Sequence, residues 1–571
     1  MPQPTGLLPL PVQNVGTKGL NTEAANLGLG PEWASQAENA VFDFAGRLGA
    51  RKGVSASTTT PISGTPDVEA VFEYELDDTT TFVISAANAK LYYGTTTLTE
   101  ITGSLSITNN NWKFQNFNGK VVGWQDSEEP IVWTGSSNFA TLQSTITAWA
   151  STTAYAEGDR VRATSGNTSL YFYCTTAGTS GGTEPTWDTT EGNTTTDSSV
   201  SWETCVIPTG NEVLSGAGRL WAVDSDYTTI RYSGLLQETV WDTYGGGGLI
   251  DTTKIFGRGG DHVNALAMFN NFLIIFGNYN VLAYANPDVP ADAIFAISDR
   301  IVGVGTQFRD TVCTAGKDLL FLSDGGVVSL SRAIQGGDTP LVELSQSVRT
   351  VLQQFVGSAT TGTTKALYSP EEGFYLLKLG TYYYCFDMKH PLPNGSLRAT
   401  TWSGCPIYSF CRAKDGTIYI GSSAGGYVGK YSGYDDNGAT YNFTYQSPWL
   451  DFEQIAPQEG MRGLKKILKK LVLTYTGGVS STIYMTWGFD FAESSYNSRT
   501  ITSTTAFSSE YGSAEYGIDE WSGGGTSISE INTNLQGSGQ YFRFAIIATI
   551  SSSAFSIQKV DVLIKIGRRT S

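Results

Sequence analysis

One pattern recurs along this sequence: an apolar strand, a turn of Gly, Asp or Asn, and a second strand rich in aromatic residues. It occurs at Val71–Gly94 (VFEYELDDTTTFVISAANAKLYYG), Phe114–Gly135, Arg219–Gly234, Asn271–Tyr284, Asp318–Arg332, Gly373–Met388 and Gly416–Gly433. The later copies begin roughly 45–55 residues apart, the period of one four-stranded propeller blade. The spacing predicts an all-β chain whose centre is a β-propeller with six or seven blade motifs. Seven motifs need not make seven blades, because one can close the ring with another or belong to a platform outside it.

The composition fits short strands and tight turns: 65 glycines, abundant Thr and Ser, and 12% aromatic residues. A net charge of −17 argues against a stable grip on nucleic acid, because that affinity comes from Lys and Arg neutralising phosphates. It remains compatible with a surface past which DNA slides. The opening MPQPTGLLPLPVQNVG lacks the basic and apolar regions of a secretory signal, and no segment has the apolar length of a membrane span. Cys174, Cys205, Cys313, Cys385, Cys405 and Cys411 are scattered, which reads as buried thiols made in a reducing cytoplasm. Cys174 and Cys205 share one short stretch and are the pair to test for a bond.

Five ranges follow. Residues 1–60 form an N-terminal arm or platform, in which Ala37, Ala40 and Val41 suit either a short helix or an extended arm. Residues 61–147 hold the first blades. Residues 148–206 shift abruptly to Thr, Ser and Gly with spaced aromatics and read as a module inserted into a loop, which costs little closure entropy. Residues 207–440 hold the remaining blades, and 441–571 form a C-terminal β-sandwich or barrel platform. Within that last range, GLKKILKKL suits an amphipathic helix, but Leu471-Val472-Leu473 favours strand in its second half.

Catalytic signals are weak. His262 and His390 have no partner at motif spacing. Gly178–Gly182 and Gly421–Gly425 match G-x-S-x-G, but neither precedes the helix that a nucleophile elbow requires. Asp224, Asp226, Asp324 and Asp415 sit where turns call for Asp, and no facing carboxylate pair for glycoside hydrolysis is nominated. Asp435-Asp436-Asn437-Gly438 lacks the distal glutamate of a calcium loop and reads as a turn. The chain is expected to be no enzyme and to need no cofactor or metal.

Two clusters are candidates for contact. Trp149, Tyr155, Tyr171, Trp187 and Trp202 are dense for so small a module. They serve either as stacking platforms for a host-surface glycan or as the module's own core. The spacing W-x5-Y-x2-G-D-x-V from Trp149 to Val161, with Tyr173 and Trp202, resembles the small carbohydrate-binding modules appended to chitinases. Arg462, Lys465, Lys466, Lys469 and Lys470 stand out in an acidic chain, either as a solvated face or as a docking surface for an acidic neighbouring subunit.

The two ends carry a second resemblance. Gly19-Leu20-Asn21, Ala37-Glu38-Asn39-Ala40, Phe42-Asp43, Gly46-Arg47-Leu48 and Arg51-Lys52-Gly53 resemble the opening of tail nozzle proteins (tail tubular protein B) of short-tailed bacteriophages, the podoviruses. Pro448–Phe452 and Ile566–Arg569 fit the same group. The resemblance implies a homohexameric ring in the virion tail, assembled in the host cytoplasm. Its partners would be the tail adaptor ring, tail fibres or spikes, and genomic DNA in transient passage during ejection. The competing expectation is a receptor-binding or carbohydrate-binding tail adhesin that works through the inserted module.

Overall fold

Each of the seven strand–turn–strand motifs forms strands in the computed structural model, which describes residues 7–256, 261–330, 343–453, 463–477, 481–492, 497–502, 528–551 and 553–569. The chain is all-β, and among the described residues the one α-helix is Arg349–Val356. Two compact units are formed. One comprises 57–324 and 407–429, and the other comprises 1–56, 325–406 and 430–571.

The first unit is a succession of local antiparallel sheets. Ala70–Glu75, Thr81–Ala87, Lys90–Tyr93 and Thr99–Glu100 form one four-stranded sheet. The next comprises Lys113–Phe117, Lys120–Trp124, Ile131–Trp133 and Ala140–Thr141. Two more follow, at Val213–Asp251 and Val263–Val302. Hairpins Cys313–Ala315/Asp318–Ser323 and Ile407–Arg412/Ile418–Ser422 complete the series. Neighbouring sheets share cores of large rings. Tyr74 of the first sheet lies 5.5 Å from Trp133 of the second, and Trp124 lies 6.1 Å from Trp241 beside the third. Phe276 of the fourth meets Phe321 of the fifth at 5.0 Å. The last hairpin returns to the first sheet, where Ser409 Oγ donates to the Val68 carbonyl at 2.6 Å and Val68 N donates to the Ser422 carbonyl at 2.9 Å.

The second unit is built from distant stretches. Its nine-stranded sheet runs Thr364–Ser369, Phe374–Leu379, Tyr382–Asp387, Arg398–Trp402, Gln36–Glu38, Tyr441–Gln446, Phe542–Ile550, Thr482–Phe489 and Asn497–Thr502. Its seven-stranded sheet centres on Leu464–Gly477 and Phe555–Arg569, flanked by Leu8–Val12, Ala40–Phe42, Leu48–Ala50, Ile528–Asn534 and Ser538–Gly539. The two sheets share a core in which the Phe555 ring lies 5.2 Å from Phe443 and 5.5 Å from Tyr475.

The sequence ranges divide differently from these units. The sixth motif, Gly373–Met388, is part of the nine-stranded sheet and not of the local series. Strand propensity was legible there, but sheet membership depends on partners over 300 residues away in sequence, such as the Thr401–Glu38 pairing. The ranges 1–60 and 441–571 share one unit with 325–406. The helical alternative at Ala37–Val41 gives way to strands Gln36–Glu38 and Ala40–Phe42. The amphipathic alternative at GLKKILKKL gives way to one strand, Leu464–Gly477, whose backbone pairs along its length with the Phe555–Arg569 strand.

Candidate functional site

Residues 148–206, the range expected to be an inserted module, form two small sheets, Ala154–Tyr155 with Gly178–Thr179, and Arg160–Val161, Leu170–Thr176, Val200–Val206 and Thr194–Asp197. Its rings close on one another. Phe172 stacks on Trp187 at 3.8 Å, and Tyr155 meets Trp202 edge-on at 4.9 Å. Tyr171 and Trp202 are 0% exposed, Trp149 7% and Trp187 8%. Of the two roles open to these rings, packing is the one they occupy, Trp149, Trp187 and Trp202 in the module's own core and Tyr171 against Trp124 and Trp241 outside it, since a ring without an exposed face cannot stack on a sugar. Only Tyr155 is half-buried, and its hydroxyl accepts from Ala150 N. The polar edges are met by buried Asp197. Its Oδ2 accepts from Trp149 Nε1 at 2.8 Å and Trp202 Nε1 at 3.3 Å, and its Oδ1 from Gly181 N at 2.7 Å.

The module is anchored to the sheet that follows it. Arg160 makes a bidentate pair with Asp242 at 2.7 and 2.9 Å, and Tyr171 donates to the same carboxylate at 2.9 Å. Burial alone would raise the Asp242 pKa, but the Arg160 guanidinium outweighs it and holds the carboxyl below its ordinary range. Arg231 adds a second tie to Glu191 of the module, at 2.6 and 2.9 Å.

A second buried network joins the strand beginnings of the local sheets. Arg309, 2% exposed at its side chain, donates to the carbonyls of Asn211 and Asn111 and pairs with Asp310 at 3.0 Å. Glu212 lies 3.8 Å from Arg309 and 3.9 Å from Lys113. Burial pushes the Glu212 carboxyl up to about 7, against the pull of both cations.

The N-terminal motif residues form joints of the other unit. Asp43 accepts from Arg47 N and Nε, while Gly46 supplies the positive φ of the turn between Ala40–Phe42 and Leu48–Ala50. Arg51 is fully buried and makes a bidentate pair with Asp436 at 2.9 and 2.7 Å, with its guanidinium 4.1 Å from the Tyr441 ring centre. A Cβ on Gly53 would run into the Asp435 backbone, so glycine permits the close approach that brings Arg51 to its partner. Asp435–Gly438, read as a turn, thus also supplies an ion-pair partner, a role hidden by 385 residues of separation.

The basic cluster divides. Lys465 and Lys469 are exposed, and Lys470 is half-buried. Lys466 instead points inward, 1% exposed, and donates to the Gln540 carbonyl at 2.9 Å, and its burial lowers its pKa. It cannot meet a docking partner, because alternation along the strand turns it to the interior. Arg462 lies outside the described residues.

The remaining motifs are occupied structurally. Ser180 of G-x-S-x-G donates to Ala150 O and accepts from Thr153 N. Ser423 donates to Asp67. The carboxylates serve turns: Asp226 accepts from Thr228 N and Thr229 N, Asp415 from Thr417 N and Asp224 from Arg231, while Asp324 accepts from Gln307. Cys174 and Cys205 are free thiols, and burial pushes the Cys205 thiol up to about 12. Among the described residues, no helix is long and apolar enough to cross a membrane.

No protein-family model and no curated protein matches the chain. Among solved structures it is similar to PorZ, a surface component of the type-IX secretion system of Porphyromonas gingivalis, at 11% identity and a TM-score of 0.33. That match covers 68% of this chain, which spans 42% of PorZ. It is also similar to an exo-β-1,3-galactanase from Phanerochaete chrysosporium (11% identity, 90% and 100% coverage, TM-score 0.20). A third is apo AztD from Citrobacter koseri (10%, 64% and 88%, TM-score 0.27). At these TM-scores the likenesses carry no argument about function.

Proposed function

We propose that the chain is a structural virion protein, a tail-nozzle subunit that assembles as a homohexameric ring around a channel for retaining and ejecting DNA. The observation that carries this reading is where the nozzle-like residues lie. Phe42-Asp43, Gly46-Arg47-Leu48 and Arg51-Lys52-Gly53 are turns, ion pairs and close approaches that tie the N-terminal segment to strands near Tyr441. Residues shared with a family for the sake of a frame would have this placement. A ring of identical subunits needs heterologous interfaces repeated around its axis, and Lys465 and Lys469 offer exposed charge for one face.

We also infer that the local sheets of the first unit are blades of a propeller, and that the two large sheets of the second form a sandwich. Support for the propeller comes from Arg309, which follows the fourth sheet yet reaches residues that precede the second and the third. Such reach is natural where strand beginnings converge on an axis. The burial of Tyr171 and Trp202 removes the ground for an adhesin acting through those rings. Electron microscopy of the purified chain tests the reading. Six-fold rings are expected, and a stable monomer or trimer would overturn it.

A further inference from the structure

A cavity of about 590 Å³ opens beside the inserted module, in the range of roughly 300–1,000 Å³ typical of ligand sites. Its walls come from separate stretches of the first unit: the 104–107 loop, the turn before Ile131, and Thr168, Ser169 and Thr209 at the mouth of the module. The arrangement is held in place. Gln143 Nε2 donates to Asn167 O at 2.7 Å and Leu170 O at 2.6 Å, pinning the module's mouth to the second sheet. Glu128 accepts from Thr108 N and Oγ1, both at 2.6 Å, so its carboxylate is fixed before any ligand arrives.

We infer that this cavity binds a neutral saccharide segment, a site distinct from the module's buried rings and independent of the nozzle reading. The chemistry of the lining selects the class. Among the described residues no Lys, Arg or His lines the cavity, whereas Glu128 and Glu129 do, so an anionic ligand would be desolvated against like charge. Serine and threonine hydroxyls both donate and accept, which matches the hydroxyls of a sugar. Half-buried Leu105 and Ile107 give an apolar surface for the CH groups of a pyranose ring. Trp112 belongs to the same wall, at 4% exposure.

Ligand-observed NMR on the full chain tests the inference, with cellotriose, maltotriose and triacetylchitotriose as neutral probes and 3′-sialyllactose and spermidine as charged ones. At least one neutral trisaccharide should bind. Leu105→Ser, which removes half-buried apolar surface from the wall, should weaken binding about ten-fold. Ser106→Trp, on the exposed loop, should abolish it by filling the cavity and keeps the test valid where Leu105→Ser disturbs folding. Trp187→Phe inside the module should leave it unchanged. Binding of spermidine or sialyllactose alone, binding of no neutral probe, or binding that Ser106→Trp spares would each overturn the inference. A loss from Trp187→Phe equal to that from Leu105→Ser would do the same by moving the site into the module. None of these outcomes bears on six-fold assembly, so the two readings fail separately.

Discussion

The two compact units solve the same problem with opposite chain economies. In the unit formed by 57–324 and 407–429, the four sheets at Ala70–Glu100, Lys113–Thr141, Val213–Asp251 and Val263–Val302 are each closed by strands that follow one another, such as Val121 paired with Trp133. In the other, neighbouring strands come from opposite ends of the chain. Gln36 pairs with Gln446, and Gly49 with Ser556. Local pairing needs only correct turns. Distant pairing must overcome loop closure before any contact rewards it, so it relies on strong, specific joints. The buried Arg51–Asp436 pair is such a joint, while the local unit places its charge networks at Arg309 by the strand beginnings and at Arg160 and Arg231 beside residues 148–206.

The largest test of this contrast is Arg51→Ala, which strands Asp436 in the interior. It should cost about 3–5 kcal/mol in urea unfolding, with hydrogen-exchange protection lost first at 36–50 and 441–446. Arg51→Met with Asp436→Leu should recover most of it, because a well-packed apolar pair avoids the desolvation of two ions. A loss below about 1 kcal/mol for Arg51→Ala would mean that strand pairing alone holds the distant segments.

Glu212 sharpens the comparison on the local side. Its folded pKa, raised to about 7, exceeds the ordinary carboxylate value. The folded state therefore holds the proton more tightly, and this contribution to stability is full at low pH and is lost as pH rises towards about 7. The span amounts to at most about 3 kcal/mol. Carboxylates with lowered pKa, such as Asp242, give the opposite slope below it. The check is the difference between the stability profiles of the wild type and Glu212→Gln, which should fall with rising pH across that window.

Asp197→Ala should cost about 2 kcal/mol by orphaning the indoles of Trp149 and Trp202 and the Gly181 amide. Limited proteolysis should then cut within 148–206 and spare the flanking sheets. A general loss of protection would mean that module and sheets unfold together. The smallest effect is expected at Lys465→Ala with Lys469→Ala, within about 0.5 kcal/mol of wild type. Loss of ring assembly without loss of stability would assign these two lysines to a subunit interface.

The strand–turn–strand motifs were legible because alternation, aromatics and turn residues act over a few neighbours. Residues 148–206 stand out in the sequence as a shift of composition. The role of their rings was not legible, since a dense set of aromatics looks alike whether it faces solvent or itself, and only the buried Asp197 beneath two indoles distinguishes the cases. In the sequence Lys466 is indistinguishable from its neighbours, because strand parity and the bulges along Leu464–Gly477 decide which lysine turns inward.

The sequence by itself determined the all-β class and the strands, since each rests on the local conformational preferences of a few residues. Tertiary structure decided which strands share a sheet, which rings are spent as core, and that Arg51 meets Asp436. Those outcomes depend on desolvation and charge pairing between residues hundreds of positions apart, and no local pattern encodes them.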